Sequence, residues 1–201
     1  DETGEHIRRV GLYAAALAEE RGGGPEVRND IRLAAPMHDV GKIGIPDSIL
    51  HKPGSLTRAE IEIMKTHTTI GHEILVRSER PILQAAAVIA HEHHERWDGG
   101  GYPRGLERGE IHLHGRITSI VDCFDALTSS RVYRCALDAE KTFEFMRAQR
   151  GKAFDPALLD VFLANAERFT LLMQKFDRSP VDLGDHTELS LAPDPASSRS
   201  T

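Results

Sequence analysis

Apolar residues recur at helical spacing through almost the whole chain, and that period restricts the fold to helices packed on helices. Ile7, Val10, Ala14, Leu17 and Ala18 fall on one helical face. The run Gly22-Gly23-Gly24-Pro25 stops that helix, and a second is expected from Asp30 to His38. Pro46 and Pro53-Gly54 mark 41–55 as a loop. Thr57 with Glu60 is a capping-box pair that starts the next helix. Helical patterns follow around 67–77 and 81–95. Arg96, Trp97, Asp98, three glycines and Tyr102-Pro103 make 96–109 a second loop. The stretch 114–128 is helical, with Ile117, Ile120, Val121 and Phe124 apolar. Residues 131–137 read as a short connection. Asp138 caps a helix through Gln149, and Asp155-Pro156 opens a last helix to about Lys175. There is no internal repeat and no strand pattern. The expectation is an all-α helical bundle over residues 1–179, followed by a polar, flexible tail or linker at 180–201 rich in Ser, Pro and Asp.

The 201 residues suit one domain, and 40% hydrophobic content supplies an ordinary core. No apolar run approaches the roughly 18–20 residues that span a bilayer. A formal charge of −6 argues against a general binder of nucleic-acid polymers. A local basic pocket for a small phosphate ligand remains compatible with it. Cys123 and Cys135 form no CxxC pair and read as reduced thiols of a cytoplasmic protein. The helical pattern is already under way at Asp1, so a piece of a longer protein is expected.

Histidine is the compositional anomaly: there are 11, several beside carboxylates. Glu2 and His6 are four apart and share a helical face. His38-Asp39 follows the apolar stretch Leu33, Ala34 and Ala35. Neighbouring helical residues point about 100° apart, so the two can serve adjacent cations, or Asp39 can bridge them. Lys42, three residues on, can reach a phosphate held there. His93-His94 is a second adjacent pair. Asp122 interrupts an apolar segment, and a buried carboxylate is costly unless paired or coordinating a cation. Taken singly, each of these, and His67 with them, is as well explained by a surface pair or a hydrogen-bonded core residue. Together, Glu2, His6, His38, Asp39, His67, His93, His94 and Asp122 exceed what one cation needs. Two metals, or three, are the expectation. Imidazole and carboxylate without thiolate suit iron or manganese, with nickel and zinc also open. The remaining histidines (His51, His72, His91, His112, His114 and His186) are given surface or hydrogen-bonded roles, with His91 placed to support a ligand.

The strings His38-Asp39-Val40-Gly41-Lys42-Ile43-Gly44-Ile45-Pro46-Asp47 and His93-His94-Glu95-Arg96-Trp97-Asp98-Gly99-Gly100-Gly101-Tyr102-Pro103 resemble the signature of HD-GYP domains. Asp122-Cys123-Phe124-Asp125-Ala126-Leu127-Thr128 is similar to that family's third block. The resemblance covers about residues 1–165. It implies an all-helical HD phosphohydrolase fold with an extended GYP loop. It implies hydrolysis of a cyclic dinucleotide, cyclic di-GMP first and cyclic GMP-AMP second, to linear pGpG or GMP, through a hydroxide bridging two metals. Carried over by the resemblance, the eight residues above are the ligands, and Asp39 and Lys42 are catalytic. Lys42, Tyr102, Arg131 and Arg134 contact substrate. Arg134 stands where lysine also occurs, and the two cations address phosphate differently. Family membership also implies an upstream sensory or receiver domain and leaves room for a homodimer. Two other readings compete: an inactive dinucleotide-binding or protein-interaction module of the same fold, and a phosphohydrolase with another substrate.

Overall fold

The computed structural model describes residues 4–129 and 138–177. Helix α1 (Gly4–Glu20) ends where Gly22 adopts φ +93°, a backbone conformation natural to glycine, while Gly23 N–H donates to Ala18 O. Helix α2 (Pro25–Ala34) begins five residues earlier than the sequence indicates. Pro25 starts it rather than ending α1, because its fixed φ and missing N–H suit a first helical turn. It gives way to a 3₁₀ turn at Ala35–Met37, so His38 and Asp39 lie beyond the helix.

The segment expected as a plain loop holds a 3₁₀ turn (Val40–Gly44) and a one-turn helix α3 (Asp47–Leu50). Then come α4 (Arg58–Lys65), α5 (His67–Leu75) and α6 (Pro81–Glu92). The Thr57–Glu60 capping box is formed in both directions. After the 96–112 loop, α7 (Leu113–Thr128) and α8 (Ala139–Ala148) follow. The final helix is two helices, α9 (Pro156–Ala164) and α10 (Ala166–Asp177). Asn165 separates them: its amide donates to Val161 O at 2.9 Å and competes with the helical ladder. No strand forms among the described residues, only two isolated bridges.

The core is where α1, α7, α9 and α10 meet. Tyr13, Phe124, Phe162 and Phe169 are fully buried there, with Phe162 and Phe169 ring centroids 4.3 Å apart. Each such ring stabilises the fold by about 1.5–3 kcal/mol through burial. This core holds α1 and α7 side by side, which fixes His6 opposite Asp122. The 3₁₀ turn after Asp39 seats against α5 so closely that Gly41 has no room for a Cβ. Residues 1–3, 130–137 and 178–201 lie outside the described residues, and with them the expected 131–137 connection and 180–201 tail.

Candidate metal centre

Five elements deliver seven of the eight predicted donors to one place. His6 comes from α1, His38 and Asp39 from the bend between the 3₁₀ turns, and His67 from the start of α5. His93 and His94 sit just past α6 rather than within it, and Asp122 is on α7. The donors form two groups, Asp39 with His67, His93 and His94, and His6 with His38 and Asp122; within each, ligand atoms lie inside 4.8 Å of one another. Asp39 joins the groups. Its Oδ1 is 3.1 Å from His67 Nε2 and 3.7 Å from His93 Nε2, while Oδ2 is 3.2 Å from His38 Nε2. Asp122 Oδ1 stands 3.7 Å from His38 Nε2 and 3.8 Å from His6 Nε2.

Four imidazoles are held from behind so that Nε2 faces inward. Nδ1 of His38 donates to Ala35 O at 2.9 Å, that of His67 to Met64 O at 2.7 Å, and that of His93 to Ile89 O and Ala90 O at 3.1 Å. His6 Nδ1 is bound by Asp125 Oδ2 at 2.7 Å. Asp125 is buried and also receives Arg9 Nε at 2.5 Å and Nη2 at 3.0 Å. Such anchoring fixes tautomer and ring direction at metal sites. The inward atoms lack what polar atoms in an ordinary core have. Among the described residues, His38 Nε2 and Asp39 Oδ1 are buried without a hydrogen bond, and His67 Nε2 faces His93 Nε2 at 3.4 Å. Leaving such groups unsatisfied is costly, and a divalent cation is the partner that fits several acceptors at once. The donor set therefore fits metal.

The protonation pattern of the metal-free protein carries the same strain. Burial opposes a charge on His38, but Asp39 and Asp122 outweigh it and raise its pKa to about 9. Burial also opposes ionisation of Asp39, yet the His38 and His67 imidazoles hold it well below the usual carboxylate range. Burial and neighbouring imidazoles push His93 well below its ordinary value, and burial lowers His94 to about 4. A charged His38 beside neutral His93 and His94 is a proton doing the work of a cation.

Lys42 Nζ reaches Asp39 Oδ2 at 2.6 Å with its side chain part exposed. Tyr102 lies over His94, centroids 4.8 Å apart and nearly parallel, with Lys65 Nζ 5.4 Å from its ring. Burial raises the pKa of its hydroxyl, which stays protonated. The loop that brings Tyr102 there is tied down by two buried carboxylates. Glu95 accepts from the Arg104 and Leu106 amides at 2.8 and 3.0 Å, and Glu92 from the Arg104 side chain and the His112 amide at 2.5 and 2.6 Å. Glu92, Glu95, Arg9 and Asp125 escape the sequence reading as site residues; for Glu92, Arg9 and Asp125, charge within otherwise apolar helices is the signal that marks them, whereas Glu95 lies in the loop after α6. Glu2, Arg131 and Arg134 lie outside the described residues. His91 stacks on His72 at 4.3 Å, away from the two donor groups.

Residues 2–158 match the family model described as HD domain. The chain belongs to the HD domain family, and it carries the HD-GYP signature. It is 49% identical over 169 residues to a cyclic di-GMP phosphodiesterase of Thermotoga maritima, covering 84% of this chain and 46% of that protein. It is 46% identical over 168 residues to 3'3'-cGAMP-specific phosphodiesterase 2 of Vibrio cholerae, covering 84% of this chain and 32% of the relative. The chain thus spans half or less of these relatives. The fold is similar to that of an HD-GYP protein from Bdellovibrio bacteriovorus, with a TM-score of 0.61 at 20% identity over 83% of this chain and 55% of the other. Among the described residues no helix is long and apolar enough to cross a membrane.

Proposed function

We propose that the chain is a metal-dependent phosphodiesterase that hydrolyses a cyclic dinucleotide, cyclic di-GMP first, to linear pGpG or GMP. The observation that carries the reading is Asp39, whose two oxygens face two separate histidine groups. Divalent ions held by those groups supply Lewis acidity and lower the pKa of water. His67, His93 and His94 would hold one ion and His6, His38 and Asp122 another, with Asp39, whose carboxylate lies near both groups, available to either. Glu2 is proposed as the donor to a third. Iron or manganese is the favoured metal, with nickel and zinc next.

Lys42 sits where it can leave Asp39 and neutralise a phosphoryl oxygen as charge builds there. The Tyr102 hydroxyl, kept protonated, can donate to the same phosphate or to a ribose. Arg131 and Arg134 are proposed to hold the second phosphate. The phosphodiesterase activities of the relatives and the intact donor groups support catalysis over a binding-only module. An upstream sensory or receiver domain and a homodimer are proposed on the family likeness, a cytoplasmic location on the two cysteines read as reduced thiols, and a catalytic unit of residues 1–179 on the polar composition beyond it.

One purified sample tests the reading. Bound metals are quantified by elemental analysis, and the same sample is incubated with cyclic di-GMP and its products chromatographed. Two or three metals with pGpG or GMP appearing are expected. Full metal and no turnover of any cyclic dinucleotide, with manganese or anaerobic iron supplied, defeats it.

A further inference from the structure

A cavity of about 500 Å³ opens beside the metal centre, and its lining includes the site residues His94, Tyr102 and Asp122 together with Phe145, Gln149 and Phe154. Its size is that of a small-molecule site. Two of its lining residues, Phe145 and Gln149, are not committed to the core. Phe145, on α8, is 46% exposed although α8 buries Phe143 and Met146 on its inner side. Gln149, one position past the end of α8, makes no side-chain hydrogen bond among the described residues. An aromatic face and an amide, four residues apart, line the same cavity as the metal-donor residues His93, His94 and Asp122. A second groove, among α1, α2 and α10, lacks this pairing. There the side chains of Arg28 and Arg168 are already matched by Glu19 and Glu20.

We propose that Phe145 and Gln149 form a nucleobase subsite, in which a purine of the bound nucleotide stacks on Phe145 and its edge is read by the Gln149 amide. The inference rests on the phosphodiesterase reading of the metal centre and adds to it the group recognised next to the phosphate. Stacking suits the position because every base has a π-face and the ring is already presented to solvent, so no core contact is given up. The amide offers two donors and two acceptor lone pairs, enough to meet the mixed edge of a purine. The phosphate of the same nucleotide goes to the donor residues His94 and Asp122, which line the same cavity.

The experiment compares binding of GMP and ribose 5-phosphate to the manganese-loaded protein by titration calorimetry. The two ligands share a phosphate and a ribose and differ in the base. Wild type is expected to prefer GMP by about tenfold or more, the size of one stacking contact. Phe145→Ala should erase the preference and Phe145→Trp keep it, while ribose 5-phosphate binding and metal content stay as in wild type. Gln149→Ala should weaken GMP alone. Equal binding of the two ligands by wild type, or a preference that survives Phe145→Ala, overturns the subsite. GMP binding unchanged in Gln149→Ala removes that residue from it. The same preparations assayed with cyclic di-GMP separate the two claims. A base preference without turnover counts against the enzymatic reading and leaves the subsite standing. Turnover without a base preference does the reverse.

Discussion

His6 Nδ1 and Asp125 Oδ2 meet at 2.7 Å in the buried seam between α1 and α7, and this contact turns His6 Nε2 toward Asp122. Asp125 is in turn gripped by Arg9 through two donors. Burial opposes its charge, but His6 and Arg9 keep it ionised below the usual carboxylate range. An ionised Asp125 makes Nδ1 the protonated nitrogen and leaves Nε2 a lone pair for metal. Asp125→Asn weakens that control with little change in shape. Affinity for the ion at His6, His38 and Asp122 should fall about 10–100-fold, read as roughly one equivalent lost by elemental analysis after dialysis. Asp125→Ala also leaves the largely buried Arg9 with only the 3.7 Å contact to the half-exposed Glu5 and the Ser129 hydroxyl, and should cost about 2–3 kcal/mol of stability in urea melts.

Asp39 and Lys42 separate metal binding from rate. Asp39→Ala removes the carboxylate common to both donor groups, so bound metal and turnover should both drop while helical content is kept. Lys42→Ala leaves every proposed ligand in place, so metal should remain while turnover of cyclic di-GMP falls about 10²–10³-fold. Metal lost from the lysine variant would move Lys42 from the phosphate to the metal shell.

Much of this was legible in the sequence because the donors occupy fixed positions in helical or turn segments. The capping pair Thr57–Glu60, the Asp155-Pro156 start and the apolar faces of α1 and α7 follow from local propensity, and the structure forms them. Local signals were misleading where tertiary packing decides. Pro25 could end one helix or begin another, and only α1 lying against α2 selects the second. Asn165 looked like one more position in a continuous helix. His93 and His94 read as helical, yet α6 stops at Glu92, which turns its carboxylate to the His112 amide and helps pin the 96–112 loop. Arg9 was invisible as a site residue because its partner Asp125 is 116 residues away in sequence.

The pH dependence of metal uptake has a definite sign. In the metal-free protein His38 has a pKa of about 9, because Asp39 and Asp122 outweigh the burial that opposes its charge. A raised histidine pKa stabilises the metal-free fold below the unfolded value of about 6.5. That contribution fades as pH rises through about 9. Ligation needs neutral imidazole, so a proton must leave as metal enters. His94, lowered to about 4 mainly by burial, is neutral near pH 7 and adds no proton. His38 alone should therefore make log affinity climb by about one per pH unit between pH 6 and 8. Calorimetry in two buffers of different ionisation enthalpy should find at least about one proton released. Affinity flat over that range would show that His38 is neutral before metal binds.

Gly41 sets how closely the segment after Asp39 approaches α5. A Cβ built there would lie 1.9 Å from His67 O and 2.4 Å from Gly71 N, both backbone atoms that cannot step aside singly. Even alanine must push the 3₁₀ turn away from α5. That separates Asp39 from His67, now 3.1 Å apart. Overpacking of this kind costs about 1–3 kcal/mol and sometimes more, and the backbone contact places Gly41→Ala at the upper end. Gly44→Ala is the control, since its Cβ would meet only the Ile70 side chain at 3.0 Å, which can rotate. Gly41→Ala should lower the melting temperature and the metal content together, whereas Gly44→Ala should change both much less. Equal behaviour of the two variants would mean that the close approach does not position Asp39.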